Sequence, residues 1–242
     1  MENVLPAQVA GPLAGFVDDL RDRLGDNLIS VVLYGSAARG DWFDGRSDLN
    51  VMVIAKTFPP AALKAAGQAA QHWHQRIPIS PIFATADYLT TSADVFPLEF
   101  LDMREAHVVL AGPDPLADLP IDPRNLRRQV EAELKGKLMR LRAAYARAAG
   151  HPRAVQDLIT DSLSSFRALF QGVLRLVGQT PPSDRAEVMR SVSAVCGLNG
   201  AALQAAVDLH AGGEPADVDA VFAGYLSAVE CLVAVVDQWD NA

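Results

Sequence analysis

Cysteine is almost missing from this chain of 242 residues: Cys196 and Cys231 are the only two, and neither lies in CxxC or Cys/His spacing. That excludes a disulfide-stapled scaffold and leaves no zinc signature. Both fall in apolar, helix-like stretches and are expected to be reduced core thiols. The 5 histidines are scattered, and no Ser/His/Asp triad can be read from them. His72 and His74 are two residues apart and would not share a helix face. Positive charge is in deficit as well, with 21 Lys+Arg against 29 Asp+Glu and a net charge of −8. This argues against whole-surface binding to nucleic acid or anionic lipid. Met1-Glu2-Asn3-Val4 lacks the basic start and apolar run of a secretory signal. The longest apolar stretch, residues 226–236 interrupted by Glu230, is short of the roughly 20 residues that span a bilayer. A cytoplasmic protein without a membrane partner is expected. Its 50% hydrophobic content, with 17 glycines and 15 prolines in no repeat, excludes a disordered or collagen-like chain.

Present instead are two regions of different texture. In the first, Leu13, Phe16, Val17, Leu20 and Leu24 recur at helical spacing, with Gly25 as a stop. Residues 28–34 and 49–55 are apolar runs that read as strands buried on both faces. Pro59-Pro60 opens a helical stretch to about Arg76. Residues 77–84 resemble a third strand, which Pro78 and Pro81 confine to an edge or a strand start. Residues 108–110 form a further short strand. From Asp122 onward the chain is rich in Ala, Leu and Arg and is broken at 150–152, 178–183, 197–200 and 212–215, as in a bundle of about five helices. Asp122-Pro123 reads as an N-cap followed by proline in the first turn. The prolines at 113, 115, 120 and 123 suggest a boundary, giving domains 1–118 and 119–242. The expected class is an α/β domain with a small mixed sheet of four or five strands, followed by an all-α bundle.

The segment richest in chemistry is residues 32–53. A strand runs into Gly35-Ser36, a short helix follows, and Asp48-Leu49-Asn50 enters the next strand. Glycine lets a phosphate approach the backbone, and serine offers an N–H and a hydroxyl at a helix start, where the dipole favours an anion. An acid entering the neighbouring strand could hold magnesium on such phosphates. Positions 48 and 50 share a strand face, so two carboxylates there would converge on one metal cluster.

Together these residues resemble the nucleotidyltransferase superfamily related to DNA polymerase beta, particularly aminoglycoside-nucleotidyltransferase-like members with Gly-Ser, a spacer and Asp-x-Asp. The resemblance is strongest over residues 28–54 and continues through 96–105 and 109–116. It implies an α/β domain followed by a helical bundle. It also implies that Gly35 and Ser36 grip a nucleoside triphosphate, with Arg39 beside them. Asp48 would ligate Mg²⁺, with position 50 as its catalytic partner, in transfer of a nucleoside monophosphate to a hydroxyl acceptor. The sequence departs from the pattern at Asn50, where the second acid is an amide, and at Ile79-Ser80-Pro81-Ile82, where no third acid stands. One carboxylate in place of three weakens two-metal catalysis of the usual kind. Asp41, Asp44, Glu99 and Asp102 are candidate replacement acids.

Basic residues gather at 124, 127, 128, 135, 137, 140, 142, 147 and 153, nine of the 21, with only Glu131 and Glu133 nearby in sequence. Such a run is either a solvated helix face or a patch for triphosphate or another acidic partner, which makes Arg127 and Arg128 candidate nucleotide contacts. Three functions follow as alternatives: a nucleotidyltransferase with an unidentified acceptor, a catalytically inactive nucleotide-sensing or partner-binding module, or a structural subunit that pairs with another copy. The last draws on the apolar final stretch Val221, Tyr225, Leu226, Val229, Leu232 and Val236, a pattern that more often marks core.

Overall fold

The computed structural model describes residues 7–40, 48–182 and 184–239. Its contacts divide the chain into two compact units, Met1–Ile121 and Asp122–Ala242. The division falls beyond the expected 118/119, because Leu119 and Ile121 pack on the sheet of the first unit.

In the first unit, α1 (Ala7–Leu24) passes through a 3₁₀ turn into β1 (Leu28–Tyr34), followed by α2 (Ser36–Arg39), β2 (Leu49–Ala55), α3 (Pro60–His74), β3 (Ile79–Thr85), α4 (Ala86–Ser92), α5 (Pro97–Glu105) and β4 (His107–Ala111). The sheet has the order β3-β2-β1-β4. β1 is antiparallel to both neighbours, and β2 runs parallel to β3, so the sheet is mixed. The apolar runs fill the centre because both faces are covered. On one face Val31, Leu33, Val51 and Val53 meet Phe16 and Leu20 of α1 and Ala66 and Ala69 of α3. On the other, Val32, Met52 and Ile54 meet Leu89, Phe100 and Leu116. β3 lies at the edge, where Pro81 can sit without breaking a central ladder.

The second unit consists, among the described residues, of α6 (Pro123–Ala148), α7 (Pro152–Leu176), α8 (Arg185–Cys196), α9 (Gly200–His210) and α10 (Val218–Gln238). Asp122 caps α6 by accepting the Arg124 N–H at 2.8 Å. Leu126, Val130, Leu134 and Leu138 of α6 repeat at helical spacing into a core shared with Ile159, Leu163 and Phe166 of α7 and Tyr225, Leu232 and Val236 of α10.

Two expectations are corrected here. Cys196 is buried, but Cys231 is exposed, because the core stripe of α10 runs through 225, 229, 232 and 236 and leaves position 231 outside it. The apolar stretch ending in α10 is also longer than the run of 226–236 indicates. Val218–Gln238 spans 21 residues with a mean hydropathy of 1.8 over its most apolar window, long and apolar enough by length and composition to cross a membrane. Glu230 interrupts the run without ending the helix.

Candidate functional site

β1 delivers the chain to a sharp turn. Gly35 has φ +80° and ψ −146°, a conformation costly for any residue with a Cβ, and its N–H donates to the Ala106 carbonyl at 3.0 Å. Ser36 then opens α2, which Ala37 and Ala38 bury against the sheet. Gly40, with φ +85°, closes it, and Arg39 stands exposed at its last position.

β2 runs beside that turn. Asp48 is exposed, one residue before the strand, and the Leu49 N–H is anchored to the Pro78 carbonyl at 2.7 Å. Asn50 pairs with Tyr34 on β1 and with Ser80 on β3, and Tyr34 pairs with His107 on β4. Directly paired residues share a sheet face, so Ser80, Asn50, Tyr34 and His107 form a polar row across all four strands. The face is that of Met52 and Val32, and Tyr34 packs against their apolar cluster. Asn50 also lies beside the turn: a Cβ at position 35 would come within 3.2 Å of Asn50 Nδ2. The second position of the Asp-x-Asn motif thus turns its amide nitrogen, a hydrogen-bond donor, toward the side of the turn that glycine leaves open.

The outer end of the row is fixed by a pair that sequence reasoning missed. His107 Nδ1 lies 3.0 Å from the Arg104 carbonyl, to which it donates, and Nε2 lies 3.0 Å from Asp114 Oδ2. Asp114 Oδ1 accepts the Leu116 N–H at 2.8 Å. Desolvation pushes the Asp114 carboxyl up, but the Leu116 N–H, the His107 ring and the Ala117 N–H together pull it down, and the balance lies below the ordinary carboxylate value. Burial raises the Tyr34 phenol above its ordinary value, which keeps it a proton donor. The seven-residue separation of His107 and Asp114 matches no metal or triad pattern. Only the turn after β4 brings them together.

The row itself is thus amide, hydroxyl, phenol and imidazole, with the carboxylate of Asp114 on its His107 end and that of Asp48 at the entrance to β2. Among the described residues, no three of His, Cys, Asp and Glu gather closely enough to hold a metal ion. Asp41 and Asp44 lie outside the described residues.

The basic run of α6 has partners that its local sequence does not show. Arg127 donates to Glu131 Oε2 at 2.9 Å and to the Val236 carbonyl at 3.1 Å, near the end of α10. Lys135 bridges Glu131 and Asp237, Arg142 pairs with Glu230, and Arg124 pairs with Asp122. Arg128 is exposed on the same helix. Two of the nine, Lys135 and Arg142, are met by acids of α10, about a hundred residues away in sequence.

A mixed four-stranded sheet with this Gly-Ser turn, followed by helices, is a nucleotidyltransferase-like fold. A solved structure of spectinomycin adenyltransferase AAD(9) from Enterococcus faecialis, with ATP and spectinomycin, is similar to it with a TM-score of 0.55. The match covers 94% of this chain and 99% of that one at 12% sequence identity, a likeness of fold. Compared by sequence, the chain matches no family model and no curated protein.

Proposed function

We propose that the chain is a nucleotide-binding member of the nucleotidyltransferase-like fold, in which the Gly35-Ser36 turn receives the phosphate chain of a nucleoside triphosphate and nucleotidyl transfer is weak or lost. The observation that carries this reading is the placement of the Asn50 amide beside the Gly35 turn, in register with Ser80. The glycine turn of the motif is kept, while an amide and a hydroxyl stand where the resemblance calls for carboxylates. The likeness to an adenyltransferase solved with ATP supports a nucleotide as ligand. Ser36 contributes its N–H and hydroxyl, Arg39 a guanidinium, and Asp48 a single carboxylate, which holds magnesium weakly by itself.

Catalytic transfer to an acceptor is the second reading, favoured by the same likeness to a structure that holds both ATP and an acceptor molecule. Two assays separate the readings. Calorimetric titration with ATP in magnesium buffer should show saturable binding that Gly35→Ala and Ser36→Ala weaken at least tenfold. Incubation with triphosphates labelled at the α-phosphate and a broad acceptor mixture should give little product. Absence of binding overturns the proposal; robust labelling abolished by Asp48→Ala establishes transfer instead.

A further inference from the structure

The group that the resemblance implies, two magnesium ions held by three carboxylates, does not fit these residues. Position 50 carries an amide whose nitrogen faces the Gly35 turn, and position 80, beside it on β3, carries an exposed hydroxyl. On the other flank stands the phenol of Tyr34. Hard divalent cations select charged oxygens, and this set offers them little. Phosphate oxygens select N–H and O–H donors, and this set is made of them. Carboxylates repel a phosphate chain unless a cation stands between the two. Neutral donors do not, and each hydrogen bond to a charged oxygen is stronger than a neutral one.

We infer that the Ser80–Asn50–Tyr34 row contacts the phosphate chain of the nucleotide directly, so that binding requires no divalent cation. This rests on the nucleotide-binding reading above. Asn50 Nδ2 and the Ser80 hydroxyl take the place that metal ions fill between carboxylates and phosphates. Asp48 precedes the row by two positions, at the entrance to β2, and brings a charge that repels phosphate. His107, whose ring nitrogens are committed to Arg104 and Asp114, frames the row and keeps β4 beside Tyr34.

The test is calorimetric titration of the full chain with ATP in two buffers, one with EDTA and one with millimolar magnesium chloride. The expected result is affinity in EDTA within about threefold of that in magnesium. Binding at least tenfold weaker in EDTA overturns this inference and leaves the nucleotide reading standing, whereas no binding in either buffer overturns both.

Variants supply the second arm. Asn50→Asp should lose about tenfold in EDTA, equivalent to about 1.4 kcal/mol, and recover in magnesium as the added carboxylate recruits the cation. Ser80→Asp, at an exposed edge position that tolerates substitution, should show the same reversal and stands in for Asn50→Asp if that variant fails to fold. EDTA affinity unchanged in the folded variants removes both side chains from the phosphate and contradicts the inference.

Discussion

Trp73 packs against Gly15, with the outer edge of its indole occupying the space into which any side chain at position 15 would project. α1 and α3 cross there over the sheet, and glycine is what lets them approach. Gly15→Ala should therefore destabilise the protein by about 1–3 kcal/mol through overpacking, although alanine is the better helix former. Gly67→Ala, in the interior of α3 with nothing within 4 Å of the new Cβ, should stabilise by about 0.5–1 kcal/mol. Urea unfolding of the two variants beside the parent checks the opposite signs.

Arg127 is half-buried and donates to the Val236 carbonyl, 109 residues away in sequence. Arg127→Ala should cost about 1–3 kcal/mol, since it leaves a carbonyl near the end of α10 without this donor and removes one partner of Glu131. Arg124→Ala breaks only an exposed pair and should leave the thermal midpoint unchanged. Equal losses in the two variants would show that Arg127 gains nothing from its link to α10.

The sequence reveals what is local or strongly patterned. β1 and β2 are legible because burial on both faces makes them unbroken apolar runs, and α6 begins where Asp122-Pro123 supplies a cap and a preset φ. Pro81 correctly consigns β3 to an edge. Local pattern does not disclose pairing. Nothing in Ile79-Ser80-Pro81 tells that Ser80 stands beside Asn50, nor do Glu230 and Asp237 announce themselves as the partners of Arg142 and Lys135. α4 and α5 escape notice because they are short and lack a repeated apolar stripe. Of the candidate site, the Gly35-Ser36 turn and the Asp48-Leu49-Asn50 strand entry can be seen in the sequence. The His107–Asp114 pair depends on the return of the chain after β4.

Asp114 sets an acid-side dependence. Its carboxyl titrates lower in the folded protein than in the unfolded chain, so the folded state binds its proton less tightly. The stabilisation is complete above the unfolded carboxylate value near 4 and is lost as pH falls through the lower folded value. The stability difference between parent and Asp114→Asn should be constant from pH 7 to about 5 and shrink below pH 4. Denaturant titrations at pH 7, 5, 4 and 3 measure it, and a difference that grows on acidification contradicts the pairing.

The two cysteines should separate cleanly by reactivity. Burial, with a smaller contribution from Cys231, pushes the Cys196 thiol up to about 11, whereas Cys231 is open to solvent. Ellman's reagent at pH 8 should titrate one thiol rapidly in the native protein and two in denaturant, and Cys231→Ser should abolish the rapid phase. Two fast thiols in the native state would contradict the burial of Cys196.

The central claim is that the turn at Gly35 and the strand entry at Asn50 form a nucleotide site. Amide resonances followed by ¹H–¹⁵N NMR during titration with ATP test it most directly, since each reports its own position. The account predicts saturable shifts concentrated at Gly35, Ser36, Arg39, Leu49, Asn50 and Ser80, with those of the α1–α3 face unchanged. Shifts confined to other parts of the chain, or none at saturating ATP, would contradict it.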